Sequence, residues 1–161
     1  MIRVLFVCLG NICRSPSAEA VFRALVQERG FSAHIETDSA GTGAWHVGNP
    51  PDERAQLVGR KYGIEMSDLR ARQATPEDFH VFDIILAMDH SNHENLKRMR
   101  PSNGRAELAM MMAFAGRPNE EVPDPYYGDL SDYETVFDML KPAADGLLDH
   151  ILSEMSDDQG K

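Results

Sequence analysis

Cysteine is scarce in this chain: Cys8 and Cys13 are the only two among 161 residues. With no export signal ahead of them, they exclude a disulfide scaffold and point to the reducing cytoplasm. Positive charge is also short. Sixteen Lys and Arg stand against twenty-six Asp and Glu, a formal net charge of −10. That excludes general nucleic-acid binding, which depends on neutralising phosphates with cations. No apolar stretch approaches the roughly 18 residues of a membrane span. The N-terminal run Ile2 to Val7 is too short for a secretory leader and flows straight into a polar loop. Linkers, internal repeats and low-complexity segments are missing as well. What remains, 42% hydrophobic and 26% charged residues, is the composition of an ordinary globular protein. Residues 1–161 are read as a single domain, long enough for a real core, with 156–161 expected to fray.

The most informative segment is Val4-Leu5-Phe6-Val7-Cys8-Leu9-Gly10-Asn11-Ile12-Cys13-Arg14-Ser15-Pro16. An apolar strand ends at a cysteine, a short loop follows, and Arg-Ser-Pro opens a helix. Five residues separate Cys8 from Arg14, enough for the backbone to wrap around one tetrahedral oxyanion. Peptide N–H groups can point inward there, as at helix N-termini and anion-binding nests. Arg14 adds a planar fork matched to two phosphate oxygens. Ser15 is expected as the N-cap and Pro16 at the first helical position, so the helix's positive end faces the loop. Cys8 at its base then favours the thiolate. The pattern predicts a covalent phosphatase site, in which the −10 chain admits phosphate through a small, deep, locally positive pocket.

Along the chain, strands alternate with helices. Residues 2–7 form a buried strand and Ser15–Arg29 a helix with Ala18, Phe22, Leu25 and Val26 on one face. Ala33–Ser39 is a second strand, turned by Ala40-Gly41-Thr42-Gly43, and Asp52–Tyr62 a helix stopped at Gly63. Thr75-Pro76-Glu77-Asp78 caps a short helix. Phe82–Met88 is a further buried strand, followed by a polar helix from Asp89 to about Arg100. Ala106–Phe114 fits either helix or strand. Ser131-Asp132-Tyr133-Glu134 reads as a capping box for a last helix to about Met155. The fold class is therefore α/β, a parallel sheet covered by helices, with Cys8 and Asp89 both at strand ends on the ligand-binding rim.

The one extended loop, Gly116–Leu130, holds Asp124 between Pro123 and Pro125. A loop that long is often functional. Thiolate attack on an aryl phosphate needs an acid to protonate the departing phenolate, and a carboxyl can then serve as base toward water. Asp124 is the first candidate, with Asp89, Asp129 and Asp132 as others. As bare local signals, Asp124 also fits a turn opener and Asp89 an N-terminal helix residue favoured by the helix dipole.

Cys8 through Ser15, together with Asp124-Pro125-Tyr126-Tyr127-Gly128, resembles the low-molecular-weight protein tyrosine phosphatase family. Ser39-Ala40-Gly41-Thr42, Gly48-Asn49-Pro50-Pro51-Asp52, Ala71-Arg72-Gln73 and Ala87-Met88-Asp89-His90-Ser91-Asn92 match in order, so the likeness covers nearly the whole chain. The resemblance implies a four-stranded parallel sheet flanked by helices on both faces and hydrolysis of protein phosphotyrosine, with no cofactor and no metal. It implies Cys8 as nucleophile, Arg14 as phosphoryl ligand and Asp124 as general acid. The phosphate loop would be Leu9, Gly10, Asn11, Ile12 and Cys13. Ser15 would donate to the thiolate, Asn11 hold the loop's shape with help from Ser39, and Trp45 and Tyr126 wall a slot for an aromatic ring. Such a slot suits phosphotyrosine, whose phosphate stands far from its backbone; shorter phosphoserine cannot reach Cys8. The expected partner is a tyrosine-phosphorylated protein, such as a bacterial tyrosine kinase, in the cytoplasm. The family also implies that Tyr126 or Tyr127 can be phosphorylated.

Alternatives on the same fold are an arsenate reductase, a protein-arginine phosphatase and a non-catalytic phosphate-binding module. The thioredoxin-coupled reductase requires further redox cysteines, and arginine phosphatases carry threonine where Ile12 stands. A binding module has no need of Asp124. Cys13 could trap an oxidised Cys8 as a disulfide. Asp89, His90 and His93 are read as a solvated helix start rather than a metal site. Around Tyr62–Ser67 the chain lacks the histidines of eukaryotic members.

Overall fold

The computed structural model describes residues 1–159. Four strands, β1 (Ile2–Cys8), β2 (Ile35–Gly41), β3 (Ile84–Ala87) and β4 (Glu107–Met110), form one sheet in the order β2-β1-β3-β4. Every pairing is parallel, with Val4 opposite both Thr37 and Ile84. Five helices connect and follow them: α1 (Arg14–Glu28), α2 (Glu53–Lys61), α3 (Asp78–Val81), α4 (His90–Met99) and α5 (Leu130–Gln159). The α/β sheet expected from the alternation is the one observed.

The strands alternate their side chains between two cores, as a pleat of period two requires. Val4, Phe6, Cys8, Ile84 and Leu86 pack on α1 and α5, among them Phe22, Val136, Phe137 and Leu140. Leu5, Val7, Ile85 and Ala87 face the other way, onto Phe79, Phe82 and Leu96 from α3 to α4. Because both faces are covered, β1 reads as an unbroken apolar run. Chain order reverses between β1 and β3, so their C-terminal ends open a crevice, where such sheets bind ligands.

Helix starts shift from the sequence expectation, α3 beginning at Asp78 without a side-chain cap and α4 at His90, and three others show the reason. α1 begins at Arg14, and its Ncap position, Cys13, makes no side-chain cap. Pro16 thus sits inside the first turn, where its missing N–H leaves nothing unpaired. Ser15 is not the cap because its hydroxyl faces Cys8 and Asn11 instead. The Ser131–Glu134 capping box does not form either. α5 starts one residue earlier, and Asp129 accepts from the Ser131 N–H at 3.0 Å and the Asp132 N–H at 3.4 Å, its charge suiting a helix N-terminus better than a hydroxyl. In the third case the Asp52 carboxylate caps α2 from outside it, accepting from Arg54 N–H at 2.8 Å.

The ambiguous 106–114 stretch divides: β4 ends at Met110 and a 3-10 helix, Met111–Ala115, follows. β2 runs two residues past its expected end, through Ala40 and Gly41, because both pair with β1. Of the tail expected to fray, 156–159 continue α5, and 160–161 lie outside the described residues.

Candidate active site

Cys8 ends β1, and the chain then turns through Leu9–Cys13 into α1. The loop's carbonyls point outward and are held there. Cys8 O accepts from Thr42 N–H, Leu9 O from Gly43 N–H and Ile12 O from Asp52 N–H, at 2.8 to 2.9 Å. No backbone N–H from Leu9 to Cys13 has an acceptor among the described residues. A ring of donors turned away from the protein's own acceptors is a cradle for an oxyanion. Two features force this shape. Asn11 lies at φ 57°, a left-handed conformation that Asn tolerates better than most residues. Gly41 lets β2 pass so close that a Cβ there would stand 2.7 Å from Leu9 O.

The Asn11 side chain braces the loop from behind. Its Oδ1 accepts from Arg72 N–H at 3.0 Å, while Nδ2 donates to Ser15 Oγ at 2.7 Å and Ser39 Oγ at 3.0 Å. Ser15 Oγ in turn lies 3.0 Å from Cys8 Sγ. All four of these side chains are buried.

Arg14 is 3% exposed, and its hydrogen bonds run from one side only. Nη1 donates to Asp89 Oδ2 at 2.6 Å and to Val122 O at 3.1 Å, leaving Nε and Nη2 without a hydrogen-bond acceptor among the described residues. Those two donors form the edge of the fork that fits a pair of phosphoryl oxygens. Burial pulls the guanidinium down, but Cys8 and Asp89 outweigh it and hold Arg14 above its ordinary value. Asp89 has a double role that sequence reasoning did not assign. It caps α4 through Asn92 N–H at 2.7 Å and anchors Arg14 with its other oxygen.

Asp124 comes to the same place from the 116–130 loop. Val122 fixes the approach: its N–H donates to Met88 O at 2.8 Å, extending the line of β3, and its carbonyl receives Arg14. Asp124 Oδ2 lies 3.8 Å from Arg14 Nη2, while Oδ1 accepts from Tyr126 N–H at 3.1 Å. The turn expected of Asp-Pro and the placement of an acid at the site are therefore the same structure. Asp129 caps α5, and Asp132 faces Asp129 N–H at 2.9 Å, so neither serves here.

One cavity of about 430 Å³ is lined by Cys8, Leu9, Gly10, Ile12, Cys13, Arg14, Trp45, His46, Asp124, Tyr126 and Tyr127. Of the expected phosphate-loop residues, Leu9, Gly10, Ile12 and Cys13 line it and Asn11 does not; Asn11, Ser15 and Ser39 stand directly behind. Trp45 is 72% exposed at the rim, its ring seated where a Cβ on Gly43 would collide with it. Opposite, Tyr126 packs edge-on against Tyr127 with centroids 4.9 Å apart. Arg54, joined to Asp52 and to Gly128 O, lies 5.7 Å from the Tyr126 ring centroid and steadies that wall. His46 was missed by sequence reading. It sits over Gly10, and no local pattern marks it. Cys13 Sγ lies 3.4 Å from the buried Tyr133 hydroxyl, and burial pushes its thiol up to about 12, so it stays protonated at neutral pH. Both cysteines are free.

A parallel-sheet protein with a cysteine at the base of an anion cradle, a buried arginine fork and an acid across the cavity has the form of a phosphate-ester-binding protein. The family follows from comparison. The low molecular weight phosphotyrosine protein phosphatase family model matches residues 3–157. The low molecular weight protein-tyrosine-phosphatase PtpA of Staphylococcus epidermidis is 43% identical over 154 residues, 96% of each chain. The human low molecular weight phosphotyrosine protein phosphatase is 48% identical over 136 residues, 83% of this chain and 85% of its own. A crystal structure of a protein tyrosine phosphatase from Entamoeba histolytica superposes with TM-score 0.91 at 36% identity, covering 96% of this chain and 99% of the other. The chain belongs to the low molecular weight phosphotyrosine protein phosphatase family and is a protein-tyrosine phosphatase, a hydrolase.

Proposed function

We propose that hydrolysis runs through a cysteinyl-phosphate on Cys8, with Arg14 and the Leu9–Cys13 amides holding the phosphoryl group and Asp124 moving the proton. The Cys8 thiolate attacks phosphorus, an S–P bond forms, and the bond to the tyrosine oxygen breaks. The Asp124 carboxyl gives its proton to the departing phenolate. As carboxylate it then takes a proton from the water that attacks phosphorus, releasing inorganic phosphate and the Cys8 thiolate. Ser15, 3.0 Å from the sulfur, supports that thiolate in both steps. Trp45 and Tyr126 flank the aromatic ring of the substrate.

The observation that carries this reading is the convergence on one cavity of two segments: the β1–α1 turn, with Cys8 and an Arg14 edge that has no hydrogen-bond acceptor, and the 116–130 loop, with Asp124. Para-nitrophenyl phosphate turnover tests it. Cys8→Ser should abolish turnover, and Asp124→Ala should lower kcat by about 10²- to 10⁴-fold, the usual contribution of general acid–base catalysis. Turnover surviving in Cys8→Ser would refute it. Phosphoarginine and arsenate, run alongside, should be poor substrates. The Ile12 side chain on the cavity wall favours an aromatic ring over a guanidinium.

The partner we propose is a tyrosine-phosphorylated protein of the bacterial tyrosine-kinase type, met in the cytoplasm. Kinship with bacterial relatives supports this, and no described helix is long and apolar enough to cross a membrane. Cys8→Ser protein incubated with lysate should retain that phosphoprotein. Retention of phosphoarginine proteins instead would overturn the choice.

A further inference from the structure

Behind the phosphate loop, buried polar groups lead from Cys8 to Glu19, a carboxyl that the reaction above does not use. Glu19 is 4% exposed and stands one helical turn beyond Ser15 on α1. Ser39 Oγ donates to Glu19 Oε1 at 2.8 Å. Ser39 Oγ also lies 3.0 Å from Asn11 Nδ2, which reaches Ser15 Oγ at 2.7 Å, and Ser15 Oγ meets Cys8 Sγ at 3.0 Å.

The direction of each bond follows from what each group can give. Arg72 N–H points at the Asn11 oxygen, which fixes the other end of the amide as the NH₂. That nitrogen has two protons to donate and nothing with which to accept. Both serine oxygens must therefore accept from Asn11, and each must send its own proton elsewhere. For Ser15 the outlets are Cys8 Sγ and, at a longer 3.4 Å, Ala40 O. For Ser39 the outlet is Glu19.

We propose that Glu19 is a positioning residue of the phosphatase reaction: by accepting the Ser39 proton it locks Asn11, and Asn11 turns the Ser15 hydroxyl onto the Cys8 sulfur. The proposal rests on Cys8 being the nucleophile. Without an acceptor at Glu19, the Ser39 hydroxyl has to rotate in search of one and gives up its contact with Asn11. Asn11 holds a left-handed backbone that depends on those side-chain bonds. Once it slackens, Ser15 is free to turn to Ala40 O. The charges around Glu19 do not offer it another role. Arg23, one turn further along α1, is engaged by both oxygens of Asp68 at 2.9 and 3.0 Å, and Asp38 engages Arg72 at 3.0 Å.

The test compares Glu19→Gln, which keeps an acceptor oxygen, with Glu19→Met, which has the same reach and none. Para-nitrophenyl phosphate kinetics give kcat and KM, and iodoacetate inactivation at pH 7 reports on Cys8 directly. Glu19→Met should lose about tenfold in kcat with KM within twofold, and alkylate several-fold more slowly, the loss of one hydrogen bond to a charged group. Glu19→Gln should stay within about threefold on both measures. Wild-type rates in Glu19→Met would overturn the proposal, as would equal impairment of the two variants, since only the acceptor distinguishes them. Should Glu19→Met fail to fold, Glu19→Leu is read by the same criteria. Cys8→Ser run in parallel separates the two layers: turnover retained there defeats the nucleophile assignment itself, whereas a dead Cys8→Ser beside an unaffected Glu19→Met defeats only the role given to Glu19.

Discussion

Glu19 should make this protein less stable as pH rises through neutrality. Its carboxyl ionises near the ordinary 4.5 in the unfolded chain, whereas burial pushes it up to about 7 in the fold, although Ser39 and Arg23 pull the other way. Between those values the native state keeps a proton that the unfolded chain has released. Stability from this group is therefore complete below about 4.5 and is lost as pH climbs through 7. At 1.36 kcal/mol for each tenfold step, the loss amounts to about 3 kcal/mol. For a domain of this size that corresponds to roughly 6–12 °C in Tm. The perturbation is Glu19→Gln, and the assay is urea or thermal unfolding at half-unit steps from pH 4.5 to 8. Carboxylates not coupled to Glu19, such as Asp52 beside Arg54, titrate equally in both proteins, so the difference curve isolates Glu19 and its immediate neighbours. The wild type should lose about 3 kcal/mol relative to the variant across this range, whatever constant offset the amide adds. Parallel curves, or a wild type gaining on the variant toward pH 8, would refute the reasoning.

Three further outcomes are expected. Asn11→Ala removes three hydrogen bonds and forces a β-carbon without polar atoms to hold φ 57°, so it should cost about 2–4 kcal/mol in denaturant unfolding and depress kcat together with it. Phe22→Ala should cost about 3–5 kcal/mol with little effect on KM, because Phe22 packs on Phe6 with centroids 5.7 Å apart in the core behind β1 and is remote from the cavity wall. Cys13→Ser should make peroxide inactivation harder to reverse with thiol. The Cys8 sulfenic acid would otherwise condense with the Cys13 thiol, releasing water and leaving a reducible disulfide. Recovery equal to the wild type would remove Cys13 from that protection.

The sequence-legible part of the site is local. A strand, a loop with an asparagine at its bend and an arginine at the helix start are contiguous, so Cys8, Arg14 and the cradle between them could be named from residues 4–16 alone. Asp124 was legible because its flanking prolines and the chemistry of a phenolate leaving group both asked for an acid. Strands β1 and β3 were legible too, since they are buried on both faces and read as apolar runs, whereas the half-exposed β4 was not.

Sequence by itself thus determined which residues would meet at one cavity and that a parallel sheet would present them. Tertiary structure decided what each polar side chain does there. Ser15 had every local mark of a helix cap, yet Asn11 and Cys8 claim its hydroxyl. Asp89 looked like a simple helix-start acid, but Arg14 arrives from 75 positions away to take its second oxygen. Ser131 lost its cap to the stronger acceptor Asp129, and Glu19 reads as one more helix acid until Ser39 of β2 closes over it. The physical reason is common to all four. A hydrogen-bonding group goes to the best partner within reach, and only the folded chain determines which partners are within reach.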